Sequence, residues 1–349
     1  MAFGGLLLVV LGASVHVAAD EPPDAPAGRL FRVVCFNAEN LAAPGEETKL
    51  TRFRFEPGRR RHLERVAAII ETLAPDVIVM PEVVSAAGVE AIVALLHEKG
   101  LTDYRGHHVN GRDAFTGFDV AVLSRLEPDE IDGRRIHFFA PPPGKEPVPA
   151  GEEWLERRYS FRDDEGQEVQ RTAVLQRHAV AYFTVGGRKI GVCGVHLKSN
   201  PSDAAANTQR TAETAIVREI VKRAIVGRGY LPIVLGDIND YDPDVPMADA
   251  VRVTQTTVLR DLKDYDEKSP GDELVNAAKF IPRVADRYSS HWDFNENGAA
   301  DGEDVYTLID HVLVHRDLAG AIGRVFIAHA TDLGVSDHFP VVVDFRIAR

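Results

Sequence analysis

"LPIVLGDIND" occupies Leu231–Asp240, and its two halves ask for different things. Leu231–Leu235 read as a buried β-strand. Gly236, Asp237, Ile238, Asn239 and Asp240 follow directly at its end. Asp and Asn favour turns because their side chains bond nearby backbone groups, so Gly-Asp-x-Asn reads as a turn. It also reads as a site, because residues i and i+2 of an extended segment project to the same side. On that reading Asp237 and Asn239 present a carboxylate and an amide to one ligand.

The other strands of the chain weigh the two readings. Apolar strand-like runs fall at 30–36, 76–80, 119–124, 172–184, 189–195, 231–235, 306–314 and 340–347. Amphipathic helical patterns lie between them: Leu63, Val66, Ile69, Ile70 and Leu73; Val89, Ile92, Val93 and Leu96; and Ala212, Ile216, Ile220 and Arg223. The strand runs end in, or are interrupted by, Asn37, Glu82, His196, Asp237 with Asn239, Asp310, and Asp337 with His338. One such acid or His is ordinarily a satisfied core group. Six strands each delivering one are hard to explain as packing. If their ends converge, four carboxylates, two amides and two imidazoles meet.

That inventory has a chemistry. Carboxylate and amide oxygens without thiolates select hard cations such as Mg2+, Mn2+ or Ca2+. Histidine titrates near neutrality and suits proton transfer, and an Asp beside it fixes its tautomer. A hard cation, an oriented His and amide donors together equip a site to hydrolyse a phosphoester.

The bulk properties are compatible with this. The chain has 349 residues, 45% of them hydrophobic and 27% charged, with a formal net charge of -13. That length buries a sizeable core. The acidic balance argues against a protein that coats nucleic acid through a basic face, but not against an enzyme that meets phosphate through bound cations. The apolar stretch Leu6–Val17, too short to span a bilayer, is followed by small residues at Val17–Ala19. Residues 1–19 therefore read as a signal peptide and 20–28 as a linker, implying a secreted or periplasmic protein with no transmembrane span in the mature chain. Cys35 and Cys193 each lie inside an apolar run and read as reduced core thiols. Residues 29–349 read as one catalytic domain, with the Pro-, Gly- and charge-rich segments 138–168 and 242–304 as surface insertions.

Seven blocks, in order, are "CFNAENL", "PDVIVMPEV", "GFDVAVLSR", "VHLKS", "GDIND", "LIDHVLV" and "SDHFP". By these blocks the chain resembles the endonuclease/exonuclease/phosphatase superfamily, which includes deoxyribonucleases, apurinic endonucleases, sphingomyelinases and inositol-polyphosphate phosphatases. The resemblance implies an α/β (α+β) fold, a four-layer α/β/β/α sandwich of two packed mixed β-sheets flanked by helices. It implies that Asn37 and Glu82 hold the principal metal, Mg2+ or Mn2+, with Asp337 nearby. His338 becomes the general base, oriented by Asp310. Asp237 positions the water or a second ion, Asn239 bonds the phosphate, and His196 stabilises the phosphoryl oxygens. Arg171 matches an arginine that contacts phosphate in some members, and Asp119 is placed to orient His196.

Separately, "DFNENGAADGED" sets Asp293, Asn295, Asn297, Asp301 and Asp304 at positions 1, 3, 5, 9 and 12 of a twelve-residue loop, with Gly298 at position 6. That is the ligand pattern of an EF-hand calcium loop, ending in Asp instead of Glu. An acidic surface loop is the plainer reading; structural Ca2+ is the expectation. The function expected is metal-dependent phosphoester hydrolysis by a secreted nuclease or phosphodiesterase, acting on nucleic acid or a small or lipid phosphodiester with no stable protein partner. A phosphatase or lipid phosphodiesterase on the same core is the alternative, and a catalytically silent binding module a third.

Overall fold

The computed structural model describes residues 28–348 apart from 51–57, 143–147, 250–255, 296 and 332–333. The expected signal peptide and all of the expected linker but Gly28 lie outside these residues; Gly28 itself already opens the first strand. None of the described helices is long and apolar enough to cross a membrane.

Two six-stranded sheets carry the fold. The first runs, in spatial order, β15 (Ile322–Ile327), β16 (Val341–Ala348), β1 (Gly28–Cys35), β2 (Val77–Val83), β4 (Asp119–Ser124) and β3 (Arg105–His108). The second runs β11 (Leu274–Asn276), β14 (Asp310–His315), β10 (Leu231–Asp237), β9 (Arg188–His196), β8 (His178–Val185) and β5 (Ile136–His137). Each sheet is mixed, with one parallel pair: β1 with β2, and β9 with β10. Helix α1 (Arg60–Leu73) lies between β1 and β2 in the chain, and α3 (Ala204–Glu219) between β9 and β10. Helix α2 (Ala86–Glu98) leads from β2 to β3. Two short helices, α4 (Val258–Lys263) and α5 (Arg316–Ala319), flank β11 and β14. Two hairpins stand apart, β6 (Glu156–Arg162) with β7 (Glu168–Val174), and β12 (Ser290–Trp292) with β13 (Val305–Thr307).

The period-two alternation of each strand builds the layers. Val33, Cys35, Val77 and Val79 of the first sheet pack against Ile190, Val192, Ile233 and Leu235 of the second, forming the central core. The residues between them face outward: Val34, Ile78 and Met80 meet Leu63, Val66 and Ile70 of α1, and Cys193, Val195 and Val234 meet Ile216 and Val217 of α3. Strands covered on both faces read as continuous apolar runs, which is why they stand out in the sequence. Both thiols are free and buried, Cys35 in the inner layer and Cys193 in the outer.

Three expectations need correction. The run 172–184 is two strands, because the chain leaves the β6–β7 hairpin at Leu175–Arg177 before entering β8. The run 306–314 is also two, since β13 ends at Thr307 and β14 begins in the second sheet at Asp310. Segment 242–304 is no surface insertion: its Val258, Leu259, Leu262 and Tyr265 complete the core over the second sheet, and its Ala277, Ala278 and Ile281 enter the central core. Its density of Pro, Gly and charge hides short apolar pieces that lack a sustained period.

At the end of β10, Gly236 has φ +148° and sits against β9 so closely that a Cβ would lie 1.8 Å from the Val195 carbonyl oxygen. The side chain must be absent for β10 to deliver Asp237 beside His196 in register. Gly236→Ala should cost roughly 3 kcal/mol, lowering the melting temperature by roughly 4–5 °C. A melt within about 2 °C of wild type would show that this approach does not constrain the strand pair.

Candidate active site

Both parallel pairs end at the same edge of the molecule, where open α/β sheets place their ligands. Asn37 follows β1, Glu82 lies near the end of β2, His196 ends β9 and Asp237 ends β10. Asn37 joins the sheets, its Nδ2 donating to Glu82 Oε1 at 3.0 Å and to Asp237 Oδ2 at 3.3 Å. Glu82 reaches this point through a bulge in β2 between Pro81 and Val83, where its own φ is +61°. A non-glycine residue held at positive φ is strained, and such strain collects at functional positions. The bulge breaks the alternation and turns the carboxylate toward the strand end.

On the second sheet, Asp237 is buried and Asn239 has φ +56°. The segment is therefore not extended through Asn239. Asp237 Oδ1 accepts the Asn239 N–H at 3.1 Å, closing a turn, while Asn239 Nδ2 donates to the Leu197 carbonyl at 3.3 Å. Asp237 Oδ2 lies 3.5 Å from His196 Nε2. The GDIND stretch is thus a turn and part of the cluster at once.

His338 is fixed from behind. Its Nδ1 donates to Asp310 Oδ2 at 2.7 Å, leaving Nε2 3.9 Å from Asp237 Oδ2 and 3.8 Å from Asp337 Oδ1. Ser289 Oγ donates to the same Asp310 oxygen at 2.8 Å, and Ser336 Oγ, which takes the His338 N–H at 3.0 Å, donates to the Asn37 carbonyl at 2.7 Å. Ligand atoms of Glu82, His196 and Asp237, and again of Asp237, Asp310 and His338, all lie within 4.8 Å of one another. The residues read from the six strand ends are brought together.

Arg171 is not among them. It stands on β7 opposite Tyr159, with its guanidinium 5.2 Å over the Phe161 ring. The hairpin register turns it to that face. Six residues on, Arg177 is buried, with Nη2 donating to the Leu197 carbonyl at 3.1 Å and Nη1 3.6 Å from Asp113 Oδ2. Its own carbonyl accepts the His196 N–H at 3.0 Å. Asp119 also departs from expectation: it bonds His108 Nε2 at 2.8 Å and the Gly111 N–H at 2.7 Å, not His196. Glu39, buried, was not read as a site residue, yet its Oε2 accepts the Asp337 N–H at 3.1 Å.

Crowding acids away from water is unfavourable to their charge. Burial, with Asp310 and Glu82 nearby, pushes the Asp237 carboxyl up to about 7. Burial, with Asp337 and Glu82, pushes Glu39 up to about 9. Glu82 is raised as well, chiefly by loss of water. His196 moves the other way, held neutral by burial and by the charge of Arg177. Burial opposes a charge on His338, but Asp310, through charge and hydrogen bond, and Asp337 and Asp237 outweigh it, so its basicity rises. A divalent cation is the group that relieves this excess of negative charge. The donor set of carboxylates, an amide and imidazoles, with no thiolate, fits a hard ion.

The sequence model of the Endonuclease/Exonuclease/phosphatase family matches residues 36–338. No curated protein matches the chain. Among solved structures, an AP endonuclease from Archaeoglobus fulgidus is similar with a TM-score of 0.57 at 16% identity, covering 91% of this chain and 100% of that one. The 3' phosphatase NExo from Neisseria, bound to product DNA hairpin, has a TM-score of 0.56 at 19% identity, covering 90% and 99%. Truncated Caenorhabditis elegans TDP2 has a TM-score of 0.51 at 16% identity, covering 91% and 97%. At these identities the structures speak for the fold, two mixed sheets flanked by helices. With the family match spanning most of its length, the chain belongs to the Endonuclease/Exonuclease/phosphatase family.

Proposed function

We propose that this phosphoesterase cleaves phosphodiester bonds in nucleic acid, using His338 as the base that activates water. The observation that carries the reading is the His338–Asp310 pair at 2.7 Å, with Nε2 turned into the carboxylate cluster. Asp310 holds the proton on Nδ1, and a cation taken by Asp337 and Asp237 would offset the negative charge that keeps Nε2 protonated, freeing Nε2 to accept a proton from water. Glu82, Asp237 and Asn37, with Asp337 beside them, are the residues to hold Mg2+ or Mn2+. When bound, the ion supplies neutralisation of the phosphate charge and a more acidic water. Arg177 sets a positive charge beside neutral His196, whose ring can bond a phosphoryl oxygen, and Asn239 closes the same wall through Leu197. The AP endonuclease and the DNA-bound NExo among the similar structures favour nucleic acid over a lipid. Export to a secreted or periplasmic location is part of the proposal, on the ground of the apolar stretch Leu6–Val17.

Purified His338→Ala should lose about 10²–10⁴-fold in turnover on plasmid DNA or RNA with Mg2+ while melting as wild type does. Arg177→Ala should lose activity strongly, whereas Arg171→Ala should not, and the reverse order would remove Arg177 from the site. Turnover of inositol polyphosphate or sphingomyelin, with none of DNA or RNA, would overturn the substrate and leave the base intact.

Metal affinity should also depend on pH, with a definite sign. The cation takes ionised carboxylates, and Asp237 is raised to about 7, so it is mostly protonated at pH 6 and mostly ionised at pH 8. Affinity for Mg2+ or Mn2+, measured by calorimetry, should therefore tighten by roughly tenfold between those values, with protons released on binding. An affinity independent of pH would take Asp237 out of the ligand set. Glu82→Gln should weaken the same affinity and regain part of its activity at high metal concentration.

A further inference from the structure

Residues 293–304 join β12 to β13 and take no part in the catalytic cluster. In sequence they carry Asp293, Glu296, Asp301, Glu303 and Asp304 and no Lys or Arg. Asp293 and Asp304, at the two ends of the loop, are buried, and its carboxylates and amides bond the loop's own backbone. Asp293 accepts the N–H groups of Asn297 at 3.1 Å and Gly298 at 2.8 Å, Asn297 Oδ1 that of Ala299 at 2.7 Å, and Asp301 Oδ1 that of Glu303 at 2.8 Å. Gly298 makes the reversal with φ +75°.

An independent observation comes from the residue that closes the loop. The Asp304 side chain is fully withdrawn from solvent. Its Oδ2 accepts the Asp301 N–H at 2.9 Å and lies 2.6 Å from His291 Nε2. Its Oδ1 is buried with no hydrogen-bond partner among the described residues. Both oxygens share one carbon, so Oδ1 sits at the loop together with Oδ2. A buried carboxylate oxygen left unbonded is costly unless a cation takes it.

We propose that residues 293–304 form a structural calcium site, with oxygens from Asp293, Asn295, Asn297, Asp301 and Asp304 around one ion. An all-oxygen set on a flexible loop suits Ca2+, whereas Mg2+ demands a tighter octahedron and gives up its waters reluctantly. The site steadies the catalytic segment from outside. In β12 the His291 N–H donates to the Asp337 carbonyl at 2.8 Å, and Ser290 bridges His338. Ser289, one residue earlier, holds Asp310. The inference does not rest on the phosphoesterase reading, since ion binding is measured directly.

The test is calorimetry and thermal melting of the full chain with CaCl2, in excess Mg2+ to keep the catalytic cluster supplied. At a hundredfold excess over Kd, Ca2+ should raise the melting temperature by roughly 5 °C. Glu82→Gln should keep this response. Asp304→Asn should weaken Ca2+ binding by about tenfold or more. Asp304 is buried and its variant could misfold, so exposed Asp301→Asn is the companion: it should weaken Ca2+ binding severalfold while melting as wild type does in Mg2+ alone. An unchanged Ca2+ response in both loop variants, its loss in Glu82→Gln, or no Ca2+ response in wild type would overturn the proposal.

Discussion

A close approach of the two sheets at Gly194 is the constraint from which the site follows. Gly194 of β9 faces Val79 of β2, and a Cβ at 194 would lie 2.5 Å from Val79 Cγ1 and 3.0 Å from Val120 Cγ1. Gly194 is two residues before His196, and Val79 is three before Glu82. With a larger residue there the sheets would stand apart at the edge where their parallel pairs end. Asn37 could not then reach Glu82 and Asp237 with one amide group. The site is a property of the inter-sheet distance as much as of its residues.

That closeness has an electrostatic cost. Glu39, Glu82, Asp237, Asp310 and Asp337 gather at one edge of the core, and three of them are pushed toward their protonated forms. The protein answers with few cations of its own. Arg177 is buried beside His196, and the other charges that could compensate are His338 and whatever ion the carboxylates bind. A net charge of -13 fits a molecule that meets an anionic substrate through a bound cation and not through a basic face.

Much of this was legible because a polar residue at the end of an apolar run has no packing use. Asn37, Glu82, His196, Asp237, Asp310 and His338 all show that signature, and all converge. Arg177 shows none. It lies in "VLQRHAV" with Arg171 close by, and chemistry alone does not rank two arginines; only the β6–β7 register does, by pairing Arg171 with Tyr159. Glu39 was hidden by its neighbour Asn37, and Ser289 by a segment without period. The irregular 242–304 stretch misleads for a related reason: short apolar pieces between Pro and Gly bury well once larger sheets exist to receive them.

The loops that carry the proposed catalytic groups are held by a charged pair outside the cluster. Arg210, fully buried on α3, donates to Asp240 Oδ2 at 2.8 Å and to the Lys198 carbonyl at 2.7 Å, and bonds Asn207 on its own helix. Lys198 is two residues beyond His196, and Asp240 three beyond Asp237. One guanidinium therefore ties the exits of β9 and β10 together from the helix side, while the β12–β13 hairpin holds His338 and Asp310 from the other. A buried ion pair of this kind adds little net stability against an apolar replacement, but breaking one partner leaves a costly unpaired charge. It suits positioning more than stability, because any displacement of either loop separates the pair. The clustered carboxylates, crowded and pushed toward protonation, depend for their placement on a guanidinium outside the cluster that bonds both loops at once.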